Sequence, residues 1–259
     1  MEEQIQIGIH GHPGKPTLIY LPGMHGDCTL VSSLRAEIKD HVRFVEISYP
    51  RTTGWTLSQY GTAVTHTLRA KQISQGWILG ESFSSQVAWN ILDGVEQSGF
   101  EPQGLILAGG FVRYPVMAAV LLAQRLNQLV PMWLLKLACN LYARYAKLRH
   151  RRAPETLACL SQFVHNRTEE VDRRAIYHRY SLIAQNDLRA VARTFRLPVY
   201  QLCGFFDPVV PWPLVQPWLK RNCPGFRASK IVWRAGHNVL AAAPRTSAEW
   251  IRRWIVAAE

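Results

Sequence analysis

The sequence contains no run of 18 apolar residues. Its greasiest stretch, Val116 to Ala146, is interrupted by Arg125, Pro131, Lys136 and Arg144, so a membrane-spanning helix is not expected. Cysteine is scarce. The five (Cys28, Cys139, Cys159, Cys203 and Cys223) are odd in number and form no Cys-x-x-Cys pair, which suggests neither a disulfide framework nor a zinc site and fits a reducing compartment. The start, Met1-Glu2-Glu3-Gln4, lacks the basic and apolar regions of a secretory signal, so a cytoplasmic location is expected. No internal repeat or low-complexity tract is visible. Acidic residues are also few, with 18 Asp/Glu against 30 Lys/Arg and a net charge of +12. The imbalance is local: residues 112–196 hold 15 Lys/Arg and 5 Asp/Glu, a net +10. That excess reads either as a solvated face or as attraction for an acidic partner or anionic surface.

What remains is ordinary globular usage, 48% hydrophobic and 19% charged over 259 residues. That is enough for one good-sized core with room for an insertion. Ile5-Gln6-Ile7-Gly8-Ile9 alternates like an edge strand. Thr17 to Leu21, Val42 to Ile47, Gly76 to Leu79 and Leu105 to Ala108 are apolar runs of buried-strand length. Between them, Leu30 to Asp40, Leu57 to Lys71 and Ser84 to Ser98 read as helices. This alternation predicts an α/β chain with a mostly parallel central sheet flanked by helices.

After Gly109-Gly110 the rhythm changes. Pro115 to Arg149 and Pro154 to Arg196 carry helical patterns and no convincing strand, so residues 112–196 are expected to form an inserted all-helical cap. Strand-like runs resume at Val199 to Cys203 and Lys230 to Trp233, followed by an amphipathic helix around Ser247 to Val256. The core is thus expected to comprise residues 1–111 and 197–259.

Four short loops carry the chemistry. In Trp77-Ile78-Leu79-Gly80-Glu81-Ser82-Phe83-Ser84-Ser85 a strand ends at a serine flanked by small residues and leads into a helix. Small second neighbours are needed where strand and helix approach closely around a strained, exposed nucleophile. The pentapeptide is short enough to recur by chance, and its strand-turn-helix context gives it weight. Leu21-Pro22-Gly23-Met24-His25-Gly26-Asp27 follows the Thr17 to Leu21 run. Asp207 lies in Phe205-Phe206-Asp207-Pro208 after Val199 to Cys203, where a turn-starting aspartate is the plainer reading. His237 lies in Ala235-Gly236-His237-Asn238 after the last strand.

Taken together these loops resemble the α/β-hydrolase family, serine esterase type, with serine, aspartate and histidine in the family's chain order. One position departs from the motif: Ser84 stands where its second glycine falls, a modest increase in bulk that leaves a glycine at 84 expected to be tolerated. The resemblance implies Ser82 as nucleophile, His237 as general base and Asp207 as the acid that orients it. It further implies an oxyanion hole from the backbone N–H groups of Met24 and Phe83. Gly23 and His25, in the same loop, are expected to line the substrate site, with a structural hydrogen bond the alternative for His25. The other histidines (His10, His12, His41, His66, His150, His165 and His178) read as surface or satisfied core groups.

This chemistry needs no metal or organic cofactor. It implies cleavage of a small-molecule or carrier-linked ester or thioester, with acyl transfer left open and the apolar cap runs pointing to an apolar acyl group. An anionic carrier or lipid surface at Arg149, Arg151, Arg152, Arg173 and Arg174 is a further expectation. A ligand-binding or signalling protein on the same fold is the alternative class. No nucleic-acid module accompanies the basic segment, so nucleic acid is not an expected partner.

Overall fold

The computed structural model describes residues 4–94, 98–131, 133, 134, 137, 141 and 169–258. Seven strands form one sheet: β1 (Gln6–His10), β2 (Thr17–Leu21), β3 (Arg43–Ser48), β4 (Gln75–Glu81), β5 (Glu101–Ala108), β6 (Val199–Gly204) and β7 (Phe226–Val232). Their spatial order is β1-β3-β2-β4-β5-β6-β7. Strand β1 runs antiparallel to β3 and every other pairing is parallel.

The period of two divides the buried side chains of each strand between two cores. Ile19 and Leu21 of β2, Val45 and Ile47 of β3, Ile78 of β4 and Leu105 and Leu107 of β5 face one side. There they meet α2 (Leu57–Ala70) and α3 (Ser84–Asp93) through Leu57, Tyr60, Val64, Leu68, Val87 and Ile91. Leu18, Tyr20, Phe44, Trp77, Leu79, Ile106 and Leu202 face the other side, against α1 (Ser32–Ile38) and the terminal helix α9 (Pro244–Val256). The spacing of Leu57, Tyr60, Val64 and Leu68 is one helical stripe. The start of α2 is fixed by a capping box, Thr56 Oγ1 accepting from Gln59 N at 3.2 Å and Gln59 Oε1 from Thr56 N at 2.8 Å. A helix, sheet, helix sandwich results, with its strands buried on both faces as their continuous apolar runs require.

Between β5 and β6 the described residues contain helices and no strand: α4 (Met117–Leu129), α5 (Glu170–Gln185) and α6 (Arg189–Thr194). Helices α4 and α5 are tied by Gln124 Nε2 to Ser181 Oγ at 2.5 Å and Asn127 Nδ2 to the Arg173 carbonyl at 3.1 Å. Helix α4 ends before Pro131, with Val130 already extended (ψ 122°) as the residue ahead of a proline favours. The continuation of the Pro115 to Arg149 pattern past 141 and its successor up to residue 168 lie outside the described residues, as do Cys139, Cys159, His150 and His165. After β6 come α7 (Trp212–Asn222), β7, the short α8 (Val239–Ala242) and α9.

Candidate active site

The four loops singled out in the sequence follow the carboxyl ends of β2, β4, β6 and β7, the edge of an open parallel sheet where ligands bind. Ser82 stands between β4 and α3 in a left-handed backbone conformation, φ 51°, unusual for a residue with a side chain. Gly80 makes this sharp turn feasible. A Cβ there would lie 3.0 Å from the Ser84 carbonyl oxygen and 3.2 Å from Ser85 Cα, so strand and helix meet with no space for a side chain.

Ser82 Oγ lies 2.8 Å from His237 Nε2, and His237 Nδ1 lies 2.9 Å from Asp207 Oδ2. The Asp207 carboxylate is almost wholly buried, while the imidazole is 18% exposed. Its other oxygen, Oδ1, accepts from Val209 N at 2.8 Å and Val210 N at 2.9 Å. The three residues are 30 and 155 positions apart in pairs, so this chain of hydrogen bonds is made by the sheet and not by local sequence.

A cavity of about 590 Å³ opens above Ser82 and His237. Gly23, Met24 and His25 line one side, Pro208, Val209 and Val210 another, and Ala119, Val120, Ala123, Ile176, Tyr180 and Ile183 of α4 and α5 cover it. Gly23, Met24 and His25, singled out in the sequence, thus border this cavity. Phe83 contributes no side chain to the cavity wall, because its ring is buried in the core. Among the described residues no hydrogen bond engages the backbone N–H of Met24 or of Phe83.

The Ser84 hydroxyl corrects an expectation. It donates to the Pro22 carbonyl and lies 2.8 Å from the Tyr49 hydroxyl, fully buried. Because its proton goes to Pro22, Ser84 accepts from Tyr49, whose hydroxyl burial keeps protonated. Glycine at 84 would leave a buried carbonyl and a buried phenol unpaired. Ser84→Gly is therefore expected to lose about 1–3 kcal/mol of stability, read as a shift in the urea midpoint; an unchanged midpoint would mean that these bonds contribute nothing.

Glu81, adjacent to the serine, lines the same cavity and accepts from the Tyr20 hydroxyl. Burial pushes its pKa above the ordinary carboxylate value, opposed by bonds from Tyr20 and the Gly23 N–H. The folded state thus holds the Glu81 proton more tightly than the unfolded chain. Stability is greatest below the ordinary carboxylate pKa and falls as pH rises through the raised folded value. Glu81→Gln should remove that fall, measured by thermal unfolding between about pH 4 and 8; parallel curves for both proteins would contradict a buried, titrating Glu81.

The nearby thiols are poor nucleophiles: burial pushes Cys28 up to about 12, and burial with the Asp207 charge raises Cys203. Of the basic cluster, Arg149, Arg151 and Arg152 lie outside the described residues. Arg173 lines the cavity, but its guanidinium is held by Glu170 Oε1 at 3.0 Å and the Val130 carbonyl at 3.1 Å. Arg174 is exposed.

No family model matches the chain, and no curated protein is similar to it in sequence. Solved structures are similar over nearly its whole length. A thermophilic esterase from Thermogutta terrifontis matches with TM-score 0.76 at 17% identity, covering 98% of this chain and 93% of that one. An enol-lactonase from Burkholderia xenovorans matches with 0.77 at 15%, covering 97% and 96%. An alpha/beta hydrolase enzyme, MGS-M2, from a deep-sea metagenome of the Medee basin matches with 0.78 at 11%, covering 99% and 95%. Identities this low speak to architecture alone. With its mostly parallel seven-stranded sheet, its helices on both faces and a serine in the turn after β4, this chain has the α/β-hydrolase fold.

Proposed function

We propose that the protein is a serine hydrolase that cleaves a carboxylic ester or thioester through an acyl-enzyme on Ser82. The observation that carries this reading is the continuous hydrogen-bonded path from Ser82 Oγ through the His237 ring to Asp207. His237 Nε2 accepts the Ser82 proton as Oγ attacks the acyl carbon, and the carbonyl electrons move onto oxygen. Asp207 keeps Nδ1 protonated, so Nε2 is the basic nitrogen, and stabilises the imidazolium that forms.

The tetrahedral intermediate carries an oxyanion, for which the N–H groups of Met24 and Phe83 are the donors, each with no partner among the described residues. Donors of this kind are worth about 3–4 kcal/mol each in a water-excluded site. Collapse of the intermediate breaks the bond to the leaving alcohol or thiol, which takes the proton from His237. Water then repeats the sequence on the acyl-enzyme and releases the acid.

The cavity supports an apolar acyl group, since Ala119, Val120, Ala123, Ile176 and Ile183 stand over the serine. Two of the similar structures are described as an esterase and an enol-lactonase, which supports ester hydrolysis over acyl transfer. The test is a series of p-nitrophenyl esters of increasing chain length, together with the matching thioesters. A burst of p-nitrophenol stoichiometric with enzyme, followed by turnover that rises as the apolar chain lengthens, is expected. Tight binding of the same compounds without turnover would instead favour a ligand-binding protein on this fold.

A further inference from the structure

Helix α5 contributes one side chain that the mechanism does not use and that is expensive to place where it stands. Arg179 is 1% exposed, a cation inside a protein core. Among the described residues no carboxylate pairs with it, although burial of an unpaired charge is strongly unfavourable. Its contacts are instead neutral and convergent. Nη1 donates to the Met24 carbonyl at 2.7 Å, Nη2 to the Pro50 carbonyl at 3.0 Å, and Nε to the Tyr60 hydroxyl at 3.4 Å. The guanidinium carbon sits 5.7 Å from the Tyr49 ring and 5.9 Å from the rings of Tyr60 and Phe83, within cation–π range of all three.

These partners share a location. Met24 and Phe83 are the residues whose N–H groups the proposed mechanism uses, and the Tyr49–Pro50 segment braces the same loop, since Tyr49 N donates to the Gly26 carbonyl at 2.7 Å. Three neighbouring polar groups of the loop already have partners: the Pro22 carbonyl accepts from Ser84, the Gly23 N–H donates to Glu81, and the Gly23 carbonyl accepts from Gly26 N within the loop at 3.0 Å. The Met24 carbonyl is held by α5 through Arg179.

A peptide group left without such an anchor can rotate, and a carbonyl turned into the site would displace the donor and present the wrong dipole to the oxyanion. Gly26 fits the same picture. With φ +79° it turns the loop back, and a Cβ there would lie 2.7 Å from both Nη1 and Nη2 of Arg179, so the loop leaves the guanidinium its space.

We propose that Arg179 is a positioning residue, set in the segment over the cavity, that holds the Met24 carbonyl away from Ser82 and so keeps the oxyanion loop in its working form. This rests on the reading of Ser82 as nucleophile and of Met24 as donor. The helical insertion is then more than a cover for the acyl chain, because its docking sets the electrostatics of the site.

The test compares Arg179→Lys and Arg179→Gln with wild type and with Ser82→Ala, using a short p-nitrophenyl ester. Rates of wild type and the Arg179 variants are expressed per active site titrated with a fluorophosphonate, so partly folded preparations still report, and that of Ser82→Ala is expressed per chain. Complete removal of an oxyanion donor costs roughly 10²–10³ in kcat, and a displaced donor should cost about 10–100-fold with KM changed less than about threefold. Phenylboronic acid, whose adduct with the serine places a tetrahedral oxygen in the same hole, should bind more weakly by a similar factor. A kcat per titrated site equal to wild type, with only a lowered Tm, would overturn the proposal and leave Arg179 as a packing residue. A loss confined to KM would overturn it as well. Wild-type hydrolysis by Ser82→Ala would instead remove the nucleophile reading on which both rest, so the two failures are distinguishable.

Discussion

Ser82→Ala should lower kcat for any ester substrate by at least about 10⁴-fold while leaving the protein folded, and His237→Ala should do nearly the same. Both side chains meet at a single hydrogen bond of 2.8 Å, so removing either one removes the proton-transfer step, and the double variant should be little worse than each single one. Ser82 is 8% exposed and borders the cavity, so alanine there deletes a hydroxyl without opening a core void. The checks are turnover of a p-nitrophenyl ester and urea unfolding of the same samples. A double variant that loses the product of the two single effects would indicate that serine and histidine act in separate steps.

Asp207→Asn is expected to be nearly as severe, at about 10³–10⁴-fold in kcat, and the structure supplies the reason. Oδ1 of Asp207 takes two backbone N–H groups, from Val209 and Val210. An asparagine must keep its carbonyl oxygen on those donors, which turns its NH2 toward His237 Nδ1. Nδ1 would then have to accept, the ring proton would move to Nε2, and the nitrogen facing Ser82 would be a donor where the mechanism needs a base. Binding should be spared, so the loss is expected in kcat with KM nearly unchanged. Full activity in Asp207→Asn would show that His237 is oriented by another group, and Glu81, whose charge is close enough to act on His237, would be the first replacement to examine.

Most of the scaffold was legible because each element repeats a local physical rule. Thr17–Leu21 is buried on both faces, and its apolar run marks β2 with its observed ends. The turn at Ser82 is announced by the small residues that its packing requires. Helix α7 was not singled out in the sequence, since Pro211, Pro213 and Pro217, which interrupt a helical pattern, all fall in or beside it. Pro213 is tolerated in the first turn, where its missing N–H costs nothing. The opening of β5 was hidden in the same way, because Glu101-Pro102-Gln103-Gly104 is polar and broken in composition yet pairs with β4 from Gln75 onward.

At the site, spacing placed the serine, aspartate and histidine at strand ends, but their contacts depend on three strands that lie far apart in the chain. Ser84, Glu81 and Arg179 show what sequence could not convey. A serine in place of glycine reads only as bulk until its hydroxyl is seen bridging Tyr49 and Pro22. Arg179 is one of 15 Lys/Arg in its segment, and nothing in the sequence marks it as the one that is buried among those described.

The identity of the nucleophile is the point on which the account stands, and intact-protein mass spectrometry after exposure to a fluorophosphonate addresses it most directly. Wild type should gain one phosphonyl adduct per chain, located by peptide mapping on Ser82. The Ser82→Ala protein should gain none under the same conditions, and His237→Ala should react far more slowly. An adduct of equal yield on Ser82→Ala, or one mapped in the wild type to Ser84, Ser85 or a cysteine, would contradict the account.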